Sequence, residues 1–341
     1  MDRPTQAPRL VLRAYRGPED HPAMLRVAAA VRTFNGDAEI GTVADMDNYY
    51  GHLEHADLPR DCALVELEGQ VVAYGRASWE ELANGEGRVD CILNIEPVHR
   101  GEGIEEILLA HALRRAEHCI ADVGRDRTTR VIVYATGRDV AFRRLLESRG
   151  LNLVRRHAQL VRPSLDNIPD LAIPEPFALR RIDPLDRAMH RRVFDADARA
   201  FADHYGQEAS SETAWDGFVG SPAFDPTLWR VAFHGDKIAG QILNFMGEAL
   251  ADGTRIGMTE AISVQPEYRR LGLARALLAE SLRAVRDAGA DRACLGVDTQ
   301  NPNQALTLYE SLGFRITSET LEYGLGPFSP GSMPSLGGGT R

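Results

Sequence analysis

Arg269-Arg270-Leu271-Gly272-Leu273-Ala274 lies between a strand-like run and a helix-like run. Upstream, residues 259–264 (TEAISV) read as a short strand closed by Pro266; downstream, Ala276, Leu277, Leu278, Leu282 and Val285 recur at helical spacing. A turn of this kind aims several backbone N–H groups at one point, and the helix dipole adds about half a positive charge there. The chemistry it suits is the binding of a phosphate or pyrophosphate. Gly272 and Ala274 are small enough to let such a group reach the backbone, and Arg269 and Arg270 lend charge. An ordinary Gly-containing helix entry would use the same six residues, so the hexamer gains meaning only from its surroundings.

About thirty residues further on, 294–298 (CLGVD) form a second strand-like run, followed by Asn301-Pro302-Asn303-Gln304-Ala305-Leu306-Thr307-Leu308-Tyr309-Glu310-Ser311-Leu312-Gly313-Phe314. With R-x-x-G-x-A at 269–274 and N-P-x-x-A-x-x-L-Y-x-x-x-G-F at 301–314, the chain resembles the GNAT N-acetyltransferase superfamily, whose acyl-CoA signature is written Q/R-x-x-G-x-G/A. The resemblance covers residues 177–323 well and the first half more loosely. It implies an α/β fold with a strongly twisted mixed sheet flanked by helices, and acetyl-CoA as the cosubstrate. In that fold two parallel strands splay apart around the pantetheine arm; here they would be 259–264 and 293–298. Backbone groups of Ile262 and Val264 would pair with the arm as a further strand does. The N–H groups of Arg270, Gly272, Leu273 and Ala274 would hold the pyrophosphate, beside Arg269. By the same likeness Tyr309 is the general acid for the leaving thiolate, a plausible donor with an ordinary pKa near 10, and the N–H of Val264 faces the oxyanion.

Other positions keep more than one reading. Glu260, four residues before Val264, would share a face with Ile262 and Val264 under strict strand alternation. Its carboxylate could take a proton from an acceptor amine, bind a cationic acceptor, or face solvent. Asn301 before Pro302 reads as a helix N-cap with Pro at N1; a contact of Asn301 or Asn303 with the CoA arm is compatible with that. The segment 201–226 holds His204, Tyr205 and Trp215 among further aromatic and acidic residues. It suits a pocket for a polar, cationic acceptor, and equally a loop packed on the core. This stretch and the layout also loosely resemble mycothiol synthases, which acetylate a cysteinyl amino-sugar inositol, although their phosphate turn usually ends in Gly where this one ends in Ala274.

The chain repeats itself with an offset near 165. Residues 61–75 echo 227–241, residues 92–109 echo 261–278, and 143–151 echo the run ending at Phe314. A period this long means duplicated domains. The expected boundaries are a degenerate first domain over 1–165, a Pro-punctuated linker over 166–176, a catalytic domain over 177–325, and a flexible tail over 326–341. The copies differ where chemistry would sit: Arg100 and Gly103 match Arg269 and Gly272, but Glu105 stands opposite Ala274 and Leu146 opposite Tyr309. An anion in the turn and no phenol predict a first copy that is catalytically silent and binds CoA weakly or not at all.

With 44% hydrophobic and 26% charged residues, the composition is that of a globular protein. No apolar run approaches the ~20 residues of a membrane span, and the start lacks a signal-type apolar core, so a cytoplasmic location is the expectation. Cys62, Cys91, Cys119 and Cys294 read as buried free thiols, and no metal-ligand cluster stands out. A net charge of −10 disfavours nucleic acid and suits a cationic acceptor. The expected partners are acetyl-CoA and a small-molecule amine, with a monomer favoured. A protein N-acetyltransferase and a non-catalytic CoA sensor are the competing readings.

Overall fold

The computed structural model describes residues 10–37, 41–123, 126–250, 252–300, 305–332 and 335–336. In chain order the first half carries β1 (Leu10–Ala14), α1 (His21–Asn35), α2 (Val43–Gly51), α3 (Leu58–Asp61), β2 (Cys62–Leu67), β3 (Gln70–Glu81), β4 (Gly87–Ile95), α4 (Ile104–Val123), β5 (Thr129–Thr136), α5 (Val140–Ser148) and β6 (Asn152–Arg162). The second half carries β7 (Ala178–Arg180), α6 (Arg187–Phe201), α7 (Glu212–Gly220), β8 (Arg230–His234), β9 (Lys237–Met246), β10 (Ile256–Val264), α8 (Leu273–Asp287), β11 (Arg292–Asp298), α9 (Ala305–Ser311) and β12 (Arg315–Phe328). They form two compact units. One contains Met1–Asn35, Leu53–Val154 and Leu321–Arg341; the other contains Gly36–His52 and Arg155–Thr320.

In the first unit the strands run β1-β2-β3-β4-β5, and the Leu321–Phe328 part of β12 follows β5. β1 to β4 are antiparallel neighbours, and β4 and β5 are parallel. Ile104, Leu108, Leu109, Leu113, Ala116 and Ile120 recur every three or four residues on α4 and are all buried, so one helical stripe covers the sheet. Leu321 and Tyr323 of β12 lie in that core with Leu109, Val131 and Val133.

In the second unit the order is β6-β11-β10-β9-β8-β7. α8 lies on one face, where Leu273, Leu277, Leu278, Leu282 and Val285 meet Ile242, Leu295 and Phe314. α6 lies on the other, where Val193 and Ala196 meet Trp229, Phe233 and Leu243. Each face thus has its own helix and its own apolar core.

The compact units differ from the sequence halves. β6 lies within the expected first domain, residues 1–165. Its residues 157–162 nevertheless pair antiparallel with β11 in the second unit, and Ala158 and Leu160 are buried in that unit's core. The end of β12 serves the first unit in return. The same apolar alternation suits either sheet, so sequence alone does not distinguish the two placements. The expected linker is also packed: Ile168, Leu171 and Ile173 lie against the second unit's core, and Arg283 Nη2 donates to Pro169 O at 2.7 Å. The strand continues into the expected tail as far as Phe328, and Phe328 and Leu336 pack on the first unit's core. All four cysteines are free and buried. Among the described residues no helix is long and apolar enough to cross a membrane.

Candidate active site

The site begins where two strands part. β10 and β11 pair in parallel only at Ile256–Arg292, Gly257–Ala293 and Met258–Cys294. At the next residue the Thr259 hydroxyl, not the backbone, bonds across: Oγ1 donates to Cys294 O at 3.0 Å. Beyond it residues 260–264 of β10 and 296–298 of β11 are unpaired with each other and line one cavity. β11 can diverge without losing its ladder because its other edge remains paired to β6.

β10 also carries a bulge. Its register with β9 shifts between Glu260 and Ser263, and Ala261 has φ of 47°. Directly opposed residues of an antiparallel pair share a face. Glu260 opposes Leu243 and Ser263 opposes Gln241, and Leu243 belongs to the α6-side core. Ile262 and Val264 pack on the α8-side core. The expectation that Glu260, Ile262 and Val264 share one face is therefore corrected: the left-handed residue inserts one position and reverses the alternation. Glu260 looks toward α6, while Ile262 and Val264 look toward α8.

The turn over residues 269–274 has the backbone its residue types suggest. Arg270 and Gly272 both have positive φ, 66° and 82°. Gly272 is the N-cap of α8, and no side chain caps it. By contrast Asp186 and Ser211 cap α6 and α7, accepting from Met189 N and Ala214 N. The first N–H groups of α8 are free of intrahelical partners by construction and open on the cavity, which Gly272, Leu273 and Ala274 line. Arg269 is engaged elsewhere. Its Nε donates to Val264 O at 3.2 Å and its Nη2 to Ala200 O at 2.9 Å, and its guanidinium pairs with Asp203 at 3.2 Å. It ties the end of α6 to the turn, while Arg270 and Arg275, both exposed, line the cavity and make no ion pair among the described residues.

The cavity holds about 780 Å³. Tyr309 reaches it from α9; it is buried, lies edge-on to Phe314, and burial pushes its phenol up to about 12. On the α6 side the wall is Phe201 and His204, whose rings meet edge-to-face at 4.5 Å. Burial lowers the pKa of His204. At the end of β11, Asp298 lines the cavity and is gripped by Arg155 at 2.6 Å.

Ten of the residues singled out from sequence thus converge: Glu260, Ile262, Val264, Arg269, Arg270, Gly272, Leu273, Ala274, Tyr309 and His204. Two do not. Trp215 is buried among Phe194 and Phe218 in an aromatic core, because α7 turns its apolar side inward. Tyr205 lies outside the lining, stacked under the Arg155 guanidinium at 4.3 Å. Asn301 and Asn303 lie outside the described residues. Sequence reading missed Thr259, Asp298 and Arg155; an Asp at the end of the second splayed strand was a signal available for one of them.

The matching turn of the first unit is filled from within. Gly101 and Gly103 both have φ of 83°, positive like Arg270 and Gly272 at the matching positions. Glu105 is buried, and its Oε1 accepts from Gly101 N at 2.8 Å. A carboxylate thereby takes an N–H that an anionic ligand would need. Around it, β3 and β4 pair over nine unshifted positions without a bulge, β4 and β5 stay paired for five, and Leu146 is buried in place of a phenol.

A family model described as an acetyltransferase (GNAT) domain matches residues 225–316, the segment that forms most of the cavity. A mycothiol acetyltransferase of Streptomyces scabiei (strain 87.22) is 31% identical over 229 residues, 67% of this chain and 68% of that protein. The crystal structure of a GCN5-related N-acetyltransferase from Sphaerobacter thermophilus matches with a TM-score of 0.69 and 23% identity, over 93% of this chain and 95% of that one. A tandem GNAT protein from the clavulanic acid biosynthesis pathway matches with a TM-score of 0.64 and 18% identity, over 94% and 100%. These last two are likenesses of fold.

Proposed function

The chain belongs to the GNAT acetyltransferases, and from that premise we propose that it transfers the acetyl group of acetyl-CoA to a primary amine of a small molecule, with the chemistry in the second unit. The observation that carries this reading is the contrast between the two turns. One is uncapped and opens on a cavity with a phenol; the other is closed by its own carboxylate.

The pyrophosphate would sit on the N–H groups of Arg270 to Ala274, with the Arg270 guanidinium beside it. The pantetheine arm would run along the unpaired edges of β10 and β11 toward Tyr309. The acceptor would enter from the α6 side, past Phe201 and His204. His204, its pKa lowered by burial, is neutral at pH 7 and does not repel an ammonium group. Glu260 faces that side, holds the ammonium form and favours its approach. The amine, once neutral, attacks the thioester carbonyl. The nitrogen of the tetrahedral adduct gives up a proton to water, collapse expels the thiolate and leaves the neutral amide, and the thiolate takes up a proton as the Tyr309 hydroxyl donates to the departing sulfur.

Relatives named mycothiol acetyltransferase make a cysteinyl amino-sugar the first acceptor to try. The test is acetyl-CoA-dependent release of free thiol across amino sugars, a cysteinyl amino-sugar, polyamines and amino acids. Turnover on one class is expected. Tight donor binding without turnover on any of them would overturn the small-molecule reading.

A further inference from the structure

One side chain on the acceptor's side of the cavity is held in place while its polar atoms stay unused. His204 follows the last turn of α6, and its backbone N–H donates to Phe201 O at 2.8 Å. Its imidazole meets the Phe201 ring edge-to-face at 4.5 Å, and both residues line the cavity. The preceding residue, Asp203, is paired with Arg269 at 3.2 Å, which ties this corner to the turn before α8. Among the described residues the ring nitrogens of His204 make no hydrogen bond, and neither is closed off from solvent; His111 Nε2 and His190 Nδ1, by contrast, are buried without a partner. The fold thus sets where the imidazole stands and leaves its hydrogen-bonding capacity to whatever enters the cavity.

We propose that His204 is the catalytic base of the acetyl transfer, taking the proton that the acceptor's ammonium group must lose before attack. The proposal rests on the amine-acetylation reading above and says where that proton goes. One N–H bond of the bound ammonium breaks. Its proton passes to the imidazole nitrogen that carries the lone pair, the electron pair stays on the amine nitrogen, and an imidazolium forms. The neutral amine then attacks the thioester carbonyl. After the product leaves, the imidazolium returns its proton to solvent. Glu260, which looks to the same side of β10, remains the ammonium's counter-charge.

The charges around the ring suit this role. Burial is the largest influence and lowers the imidazole from its ordinary 6.5, so a lone pair is present at pH 7. Asp203, beside it in the chain, and Asp298, at the end of β11, favour the imidazolium; Arg269 from the turn disfavours it. Val297 packs in the α8-side core, so Asp298, the next residue of the strand, looks to the α6 side, where His204 stands. Both carboxylates are themselves paired, Asp203 with Arg269 and Asp298 with Arg155. They steady the cation once it forms without holding the ring charged beforehand. Phe201 and Glu260 complete this wall.

The experiment uses the full chain and any amine that turns over. The kcat/KM of the unaltered enzyme should fall about tenfold per pH unit below a midpoint under 6.5, the imidazole's own. His204→Gln should lower kcat at pH 7 about 100-fold and keep the Kd for acetyl-CoA within about twofold. It should also move the midpoint up to that of the free amine, about 8 for an α-amino group. Imidazole added to the solution should restore kcat at least about tenfold in His204→Ala and give no such gain in Tyr309→Phe. Glu260→Gln should raise KM for the amine and keep the midpoint. The proton NMR signal of the ring, identified by its loss in His204→Gln, should titrate below 6.5 with no substrate present. A His204→Gln enzyme with kcat within about threefold of the parent and an unmoved midpoint overturns the proposal and leaves the acetylation reading standing. A midpoint that moves only in Glu260→Gln, or a ring still charged at pH 7, does the same. Turnover of no amine by the unaltered enzyme overturns the acetylation reading itself, and the base assignment with it.

Discussion

Tyr309 is held as a neutral phenol pushed up to about 12. A thiol leaving group of ordinary strength lies near 8.5, so complete transfer of the phenol's proton is uphill by about 3.5 units, or about 5 kcal/mol. In the proposed transfer the hydroxyl would therefore work mainly as a hydrogen-bond donor to the departing sulfur. Tyr309→Phe should lower kcat about 100-fold while leaving the Kd for acetyl-CoA within about threefold; a kcat within threefold of the parent would remove Tyr309 from the chemistry. A second outcome at this scale comes from Glu105, which shows what a carboxylate does in such a turn. Ala274→Glu should copy it and raise the Kd for acetyl-CoA at least tenfold by calorimetry, and unaltered affinity would mean the turn is not the pyrophosphate site. That Gly272 and Ala274 form a tight turn at a cavity was legible in the sequence from small residues at fixed spacing between a strand and a helix. The engagement of Arg269 was not legible, since its partners Ala200 and Asp203 lie 69 and 66 residues upstream.

At the scale of elements, the site depends on how closely α8 approaches β10 before the strands part. A Cβ on Gly257 would come within 2.5 Å of Val285 Cβ, atoms near the backbone that cannot swing away. Gly257→Ala should therefore destabilise the protein by about 1–3 kcal/mol, read from the midpoint of urea unfolding; a change under about 0.5 kcal/mol would mean the helix yields freely. Helix α8 and the strands on either side of it were readable from apolar spacing and from Pro and Gly punctuation. The bulge was not readable. TEAISV carries no glycine at the left-handed position, and Ala261 adopts it because the sheet and α6 hold it there. Strict alternation then assigned Glu260 to the wrong face. Trp215 failed for a related reason: an aromatic residue in a polar stretch reads the same whether it lines a pocket or seals a core, and only the positions of Phe194 and Phe218 decide.

For the molecule as a whole, duplication was visible as a 165-residue echo, but the trading of final strands was not, because β6 and β12 are alike in pattern. The expected catalytic domain, residues 177–325, lacks β6, which supplies six paired positions to β11 and two buried core residues. That fragment should lack a fixed tertiary structure by near-ultraviolet circular dichroism; a cooperative unfolding transition from it would show that β6 is dispensable. The intact chain should bind one acetyl-CoA, and a stoichiometry of two would mean Glu105 gives way. The traded strand also sets a timetable for a nascent chain. β5 ends at Thr136 and its neighbour begins at Leu321, about 185 residues later. At about 5–20 residues per second on the ribosome, that is a delay of about 10–40 s. Throughout it β5 presents an unpaired edge, the kind of surface on which chains stick to one another. The half that is made first is thus completed only once β12 has emerged.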